Sequence, residues 1–334
     1  MLSGIGPRFH LENLKIPVIQ DLPVGDNFED QPAYYNLEFT SNHTEPITSL
    51  QQLVKDYLNN FGPFTNPLNA QAVAFLQTKY AATKNVPDIQ ALLVASNNTN
   101  DFSQEVFNYN RETYKATLEK NEPNKTFSIY LYLLHPKSRG FFRLNSKNPF
   151  DYPRIDPRLL SDPNDEDIET LYQGIQLAQR MVRTAAFQKV DAKLKHEPLP
   201  ACKRYAYLTK KFWYCQLRQL TTSSFNPVGT CKMGPNPKDS VVDSDLNVHG
   251  IRNLRVADTS VFPTSISGPP SIAASMIGEK VASFIRNPEF KGYGELKEKL
   301  QNLEERVKRS RLFERLVLQV PQKYTFSVDY DRII

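Results

Sequence analysis

Residues 127–134 read Phe-Ser-Ile-Tyr-Leu-Tyr-Leu-Leu, and no other local run constrains the fold as much. The run alternates and is rich in strand formers, which marks a strand with two different faces. His135-Pro136-Lys137-Ser138-Arg139-Gly140 reads as a turn and 141–146 as the returning strand, so the expectation is a hairpin within an antiparallel sheet. Asn148-Pro149 through Pro153-x-Ile155-x-Pro157 then reads as an extended crossing pinned by proline. Asp162 reads as an N-cap, with Pro163 at the first helical position. The helix that follows places Ile168, Leu171, Tyr172, Ile175, Ala178 and Val182 on one face. Residues 47–61 have the spacing of a second amphipathic helix. Residues 251–262 read as a short strand ending at Asp258, and a further helix starts at Pro269-Pro270 and runs through Ile285.

The chain has 334 residues, enough for one large domain or two ordinary ones, and 40% hydrophobic content against 23% charged content allows a buried core. A net charge of +5, spread thinly, gives no case for nucleic acid or an anionic membrane surface. No apolar run of ~18 residues indicates a membrane span. Three N-glycosylation triplets occur, at Asn42-His43-Thr44, Asn97-Asn98-Thr99 and Asn124-Lys125-Thr126, although no signal peptide is read at Met1. Cys202 and Cys215 flank an aromatic loop carrying Trp213. In a secreted protein they suit a loop-closing disulfide, and in a cytosolic one they are two buried thiols. No Cys/His cluster has zinc spacing.

The stretch Phe225-Asn226-Pro227-Val228-Gly229-Thr230-Cys231-Lys232-Met233-Gly234-Pro235 closely resembles the C-terminal active-site segment of the glucose-methanol-choline (GMC) family of FAD-dependent oxidoreductases, in its insect, glucose-dehydrogenase-like form. Residues 1–31, from Met1-Leu2-Ser3-Gly4-Ile5-Gly6-Pro7 to Val24-Gly25-Asp26-Asn27-Phe28-Glu29-Asp30-Gln31, resemble the second signature of that family. Pro136-Lys137-Ser138-Arg139-Gly140, Asn148-Pro149 and Asp162-Pro163 resemble its substrate domain. The resemblance implies an α+β fold, with an antiparallel-sheet substrate domain carrying helices on one face plus C-terminal remnants of an FAD-binding α/β domain. It divides the chain into a partial FAD-domain segment at 1–30, the substrate domain at 31–244, an FAD-domain strand and helix at 245–286, and a helical tail outside the family at 287–334.

The resemblance also implies an activity, the oxidation of CH–OH donors with FAD, and it assigns positions. The residue before Pro-Val-Gly-Thr is the family's proton-moving histidine, and here it is Asn226. The second catalytic slot, a His or Asn in the family, falls at Ser271. An amide can orient a hydroxyl but cannot take up its proton, and loss of such a base commonly costs 10²–10⁴-fold in rate. Asn27, Asp258, Gly268, Pro269 and Pro270 match the cofactor-facing positions, with a helix N-terminus suited to the negative charge of reduced flavin. The Gly-x-Gly-x-x-Gly turn that holds the FAD pyrophosphate is absent from this sequence, and Gly4-Ile5-Gly6 is followed by Pro7 and never completes it. The chain is therefore expected to be a C-terminal half of a longer ancestor, or a gene product begun at an internal Met, with exposed apolar surface on 1–30 and 245–286. None of His10, His43, His135, His196 and His249 is expected to be catalytic.

Two functions follow. One is an oxidoreductase on a small-molecule alcohol or sugar with eroded catalytic positions. The alternative is a non-catalytic secreted pseudoenzyme, a binding module on the same substrate domain. In the tail, Leu296, Leu300, Leu303 and Val307 with favourable i,i+4 charge pairs give either a partner helix over 295–318 or a solvated helix.

Overall fold

The structure is a computed structural model and describes residues 1–43, 48–66, 70–96, 106–117, 125–195 and 198–286. The expected partner helix at 295–318, His196 and the Asn97 triplet lie outside the described residues. One compact unit spans Met1–Gly278, and Glu279–Arg286 lie outside it.

The first unit is built on an antiparallel sheet of seven strands. They are β1 (Pro32–Tyr34), β2 (Glu38–Thr40), β3 (Ala70–Leu76), β4 (Ile89–Ser96), β5 (Thr126–Leu133), β6 (Lys193–Lys195) and β7 (Thr222–Ser223). The alternating run forms β5, and it is central. One edge of β5 pairs along its whole length with β4, from Ile89 opposite Leu133 to Ser96 opposite Thr126. The other edge is shared by β2 and β1 in tandem, with Glu38 opposite Ser128 and Ala33 opposite Tyr132. Ile129 N–H donates to the Leu37 carbonyl at 2.9 Å, which closes the gap between those two short strands. The remaining strands extend the sheet outward, β6 beside β2, β7 beside β1 and β3 beside β4.

Because side chains alternate across a strand, Ile129, Leu131 and Leu133 all leave β5 on the same side. There they enter a core with α2 (Glu166–Val182) and α3 (Lys210–Leu220). All six expected positions of α2 (Ile168, Leu171, Tyr172, Ile175, Ala178 and Val182) are buried. Gly174 allows the close approach, since a Cβ there would meet Leu131 Cδ1 at 3.4 Å and Ile89 at 3.6 Å. Phe212, Trp213, Leu217 and Leu220 of α3 complete the cluster. Cys202 and Cys215 are joined in a disulfide with Cα atoms 5.7 Å apart, which fastens the Pro200–Cys202 turn to α3. The opposite side of the sheet is aromatic. Tyr35 meets Tyr130 and Phe107 with ring centroids at 4.9 Å, and Tyr132 at 5.7 Å. The sheet with helices on one face is the α+β arrangement expected.

The expected hairpin is not formed. Phe141–Arg143 pairs instead with Arg154–Asp156, in a separate two-stranded sheet. The Asp167 carboxylate accepts from Lys137 N–H at 2.7 Å, Ser138 N–H at 2.9 Å and the Ser138 hydroxyl at 2.5 Å. These bonds draw the 135–140 turn toward the start of α2 and away from the path back along β5. Asp162 does cap the helix, accepting from Glu166 N–H at 2.6 Å and Asp167 N–H at 3.3 Å, yet the helix begins at Glu166. Asp165, with φ 56°, turns the chain first, so Pro163 lies ahead of the helix.

Residues 251–262 do not form a strand. A single bridge joins Asn247 and Arg255, and the Asp258 side chain caps a short 3₁₀ turn at Thr259–Val261, which takes the chain out of the extended conformation. The expected late helix runs over Ser271–Arg286. The helix expected at 47–61 is α1 (Leu50–Leu58), whose Ser49 hydroxyl accepts from Gln52 N–H. None of its residues is buried. Phe9, Ile19, Ile272 and Met276 are exposed, as expected for apolar surface on the first and late segments.

Candidate functional site

Three consecutive polar residues, Glu29, Asp30 and Gln31, are 0%, 6% and 2% exposed. Polar groups so buried must find partners, and all three find them on segments distant in the chain. The Arg139 guanidinium stands 2.9 Å from the Glu29 carboxylate, which also accepts from Ser265 N–H at 2.9 Å and the Thr264 hydroxyl at 3.2 Å. Asp30 accepts from the Ser223 hydroxyl and from Asn226 N–H at 3.1 Å. Gln31 Nε2 lies 2.8 Å from the Ile266 carbonyl, 3.1 Å from the Ser265 hydroxyl, and 3.3 Å from the Leu134 and Gly268 carbonyls. Backbone bonds between Glu29 and Val228, at 2.9 and 3.0 Å, fix the register of the tripeptide against the 225–230 segment. Burial pushes the Glu29 and Asp30 carboxyls up. Arg139 opposes the shift at Glu29, and the Ser223 and Asn226 bonds oppose it at Asp30.

Asn226 is half-buried, and its Nδ2 donates to Gln31 Oε1 at 3.0 Å. Ser271 is exposed at the first position of the late helix, and its carbonyl accepts from the Ser275 hydroxyl at 3.2 Å. No hydrogen bond joins these two residues among the described ones. Their segments are linked through Gln31, which holds Asn226 with one end of its amide and the 265–268 turn with the other.

The cofactor-facing candidates divide. Asn27 Nδ2 donates to the Pro263 carbonyl at 3.1 Å, and the Asp258 carboxylate accepts from Ser260 N–H at 2.7 Å, so both shape turns of the chain itself. Gly229 lies against Asn27 with φ +87°, and a Cβ there would collide with the Asn27 carbonyl. Gly268 differs, because a Cβ added to it meets nothing within 4 Å. Pro269 is exposed and Pro270 is buried, and the Pro270 carbonyl accepts from Ala274 N–H at 2.8 Å to open the helix. Open space at Gly268 beside a helix N-terminus fits a flat ring that takes on negative charge when reduced, such as the flavin of FAD. A separate cavity of about 630 Å³ has Phe28, Phe142, Ile155, Phe225 and Pro227 on its wall, together with Asp30 and Ser223. Phe225 and Pro227 line it on either side of Asn226, whose amide is turned to Gln31.

Residues 136–278 match the family profile described as GMC oxidoreductase. That region belongs to the GMC oxidoreductase family. Over 288 residues the chain is 30% identical to glucose dehydrogenase [FAD, quinone] of Drosophila pseudoobscura pseudoobscura, covering 86% of this chain and 44% of that protein. Over 292 residues it is 28% identical to ecdysone oxidase of Spodoptera littoralis, covering 86% and 47%. The chain thus spans about half the length of the curated relatives it matches. A formate oxidase structure from Aspergillus oryzae, one of a set addressing FAD modification, superposes with a TM-score of 0.69 at 23% identity, covering 87% of this chain and 52% of that one. The fold is that of the GMC oxidoreductases, and FAD is the cofactor of the glucose dehydrogenase and the formate oxidase.

The sequence singled out Asn226 and the 268–271 turn as candidates and did not show what holds them. Glu29, Asp30 and Gln31 read as the end of a signature, and nothing in their spacing marks them as buried. Tyr130 and Tyr132 were readable, since the alternation of 127–134 puts them on one face. Burial raises both phenols, Tyr130 to about 12. His135 was read as a turn residue, yet its Nε2 lies 2.8 Å from the Ser267 hydroxyl.

Proposed function

We propose that this chain supplies the substrate side of an FAD-dependent oxidoreductase acting on CH–OH donors, with position 226 changed from proton transfer to orientation. The bond from Asn226 Nδ2 to Gln31 Oε1 carries this reading. Gln31 Nε2 sits among carbonyl oxygens, so its amide orientation is set and Oε1 faces position 226. Only a donor can meet it there. With its amino group committed in this way, Asn226 retains an amide oxygen that accepts a bond from a ligand hydroxyl but cannot remove the proton. In this reading 31–244 forms the substrate side, and 1–30 with 245–286 the cofactor side.

FAD, when bound, would supply the hydride acceptor. Gly268, Pro269, Pro270 and the helix start at Ser271 would face its ring, while Asn27 and Asp258 would hold the turns beside it. A small alcohol or sugar is the substrate class. The Cys202–Cys215 disulfide and the Asn42 triplet support a secreted protein, since disulfides persist in oxidising compartments.

A second reading is favoured by the same amide. With an amide at 226 and a hydroxyl at 271, the chain is a non-catalytic secreted binding module on the GMC substrate fold. The two readings part on one experiment. The purified chain is incubated with excess FAD, desalted and scanned by absorbance. Retained flavin bands support the oxidoreductase reading, and Asn226→His is then the variant to assay for a change in alcohol-dependent flavin reduction. A flavin-free spectrum sinks that reading for this chain and leaves the binding module.

A further inference from the structure

One histidine lies inside the network that holds Asn226. His135 Nε2 is 2.8 Å from the Ser267 hydroxyl, and a hydrogen bond to the Ser265 backbone favours the protonated ring. With the ring proton on Nδ1, Nε2 is the acceptor and the Ser267 hydroxyl donates. Ser265 and Ser267 belong to the turn that Gln31 ties to Asn226, and Leu134, next to His135, gives its carbonyl to the same Gln31 amide. Ser267 is exposed and His135 is half-buried, so the hydroxyl is reachable while its base is sheltered.

We propose that Ser267 and His135 form a proton-accepting pair that serves this site in place of a base at position 226. A ligand hydroxyl gives its proton to Ser267 Oγ as the Ser267 proton passes to His135 Nε2. One ligand O–H bond breaks, one N–H bond forms, and the serine hydroxyl is regenerated. In alcohol oxidation the hydride goes to FAD, and that use rests on the function proposed above. The pair itself does not depend on it. Two parts are in place: an exposed hydroxyl and a histidine nitrogen within hydrogen-bond reach of it.

The charged groups around His135 come from three directions. Asp88 lies at the start of β4, Lys137 on its own turn, and Glu166 with Asp167 at the start of α2. Burial lowers the ring pKa, Lys137 adds to the lowering, and the Ser265 bond and Asp88 oppose it. The ring is therefore neutral, and able to accept, at and above pH 7.

A flavin-independent probe tests the pair. An alkyl fluorophosphonate reacts with an activated serine: the Oγ–P bond forms, the P–F bond breaks, fluoride leaves, and the proton goes to the base. Mass spectrometry of the treated chain is expected to show one phosphonyl group on Ser267, absent in Ser267→Ala. The labelling rate is expected to rise with pH through a single titration below about 6.5 and to be flat from pH 7 to 8. His135→Gln should slow labelling at least about 100-fold and abolish the pH step. A second variant, His135→Asn, guards against a local packing failure, and ¹⁵N spectra of the wild-type imidazole report the tautomer directly. No label on Ser267, the same rate and profile in both His135 variants, or a proton on Nε2 of neutral His135 would each overturn the proposal. Labelling that survives when the FAD experiment fails would separate this pair from the oxidoreductase reading.

Discussion

On the helix side of the sheet, Ile129, Leu131 and Leu133 share one apolar cluster with Ile168, Leu171, Ile175 and Trp213. On the site side, Tyr130 and Tyr132 face Tyr35, and beyond them Glu29, Asp30 and Gln31 tie Leu134 and the 223–228 and 264–268 segments together by hydrogen bonds. The first arrangement is non-directional and tolerates any well-packed apolar set. The second is directional, and each member is costly to leave unpaired. The difference separates what makes the chain fold from what sets the positions at 226 and 265–271. It also predicts that damage to the helix side is global, while damage to the tripeptide is local and chemical.

The largest test is on the helix side. Trp213 is 2% exposed, and Trp213→Ala should lower unfolding free energy by about 3–5 kcal/mol in urea titrations. Tyr132→Phe, on the opposite face, keeps the ring and should stay within about 1 kcal/mol. Similar losses from both would mean that the two faces do not differ in kind. Next in size is the disulfide. Reduction of Cys202–Cys215, with a sequence separation of 13, should cost about 3 kcal/mol in the chain-entropy model, read as a drop in the urea midpoint under reductant. An unchanged midpoint would show that packing of Phe212 and Trp213 alone holds that loop.

Gln31→Leu probes the other side. It removes the amide that serves Asn226 and the 265–268 turn, leaving buried partners unpaired, for an expected loss of about 1–3 kcal/mol. The sharper readout is spectroscopic. The Asn226 side-chain amide resonance should move, while resonances of α2 residues stay in place. If α2 moves as much as Asn226, the tripeptide is part of the main core and the contrast between the faces fails.

The same contrast explains what could be read from the sequence. Periodicity reports burial of apolar side chains, so β5 and the buried face of α2 were legible, as was the presence of the late helix, while the start of α2 at Glu166 was not. The family motifs located Asn226 and the Gly268–Ser271 turn. The path after β5 was not legible, because it is set by one carboxylate, Asp167, accepting from the Lys137 and Ser138 backbone across 29 and 30 residues. The strand expected at 251–262 failed for a local reason, a side-chain cap by Asp258 that competes with extended backbone. Gln31 and His135 stayed hidden because their partners, Asn226 and Ser267, are 195 and 132 residues away, and a hydrogen bond between such distant residues leaves no period in the sequence.

The smallest expected effect isolates the electrostatics of the tripeptide. Asp30 is buried, and burial raises its carboxyl pKa in the folded chain. A carboxyl raised above its unfolded value of about 3.9 favours folding most when protonated. Its contribution is therefore fully present below the unfolded pKa and is lost as pH rises through the folded one. Asp30→Asn keeps the shape and an oxygen acceptor for Asn226 N–H but does not titrate. Glu29 and Asp167, whose pKa values are raised by burial as well, remain in both proteins and largely cancel in the comparison. Urea midpoints measured from pH 4 to pH 7 should therefore show wild type losing stability relative to Asp30→Asn as pH rises, with the gap smallest at the acid end. Parallel curves would mean that the Ser223 and Asn226 bonds offset burial completely, and that the site side carries no stored charge cost at neutral pH.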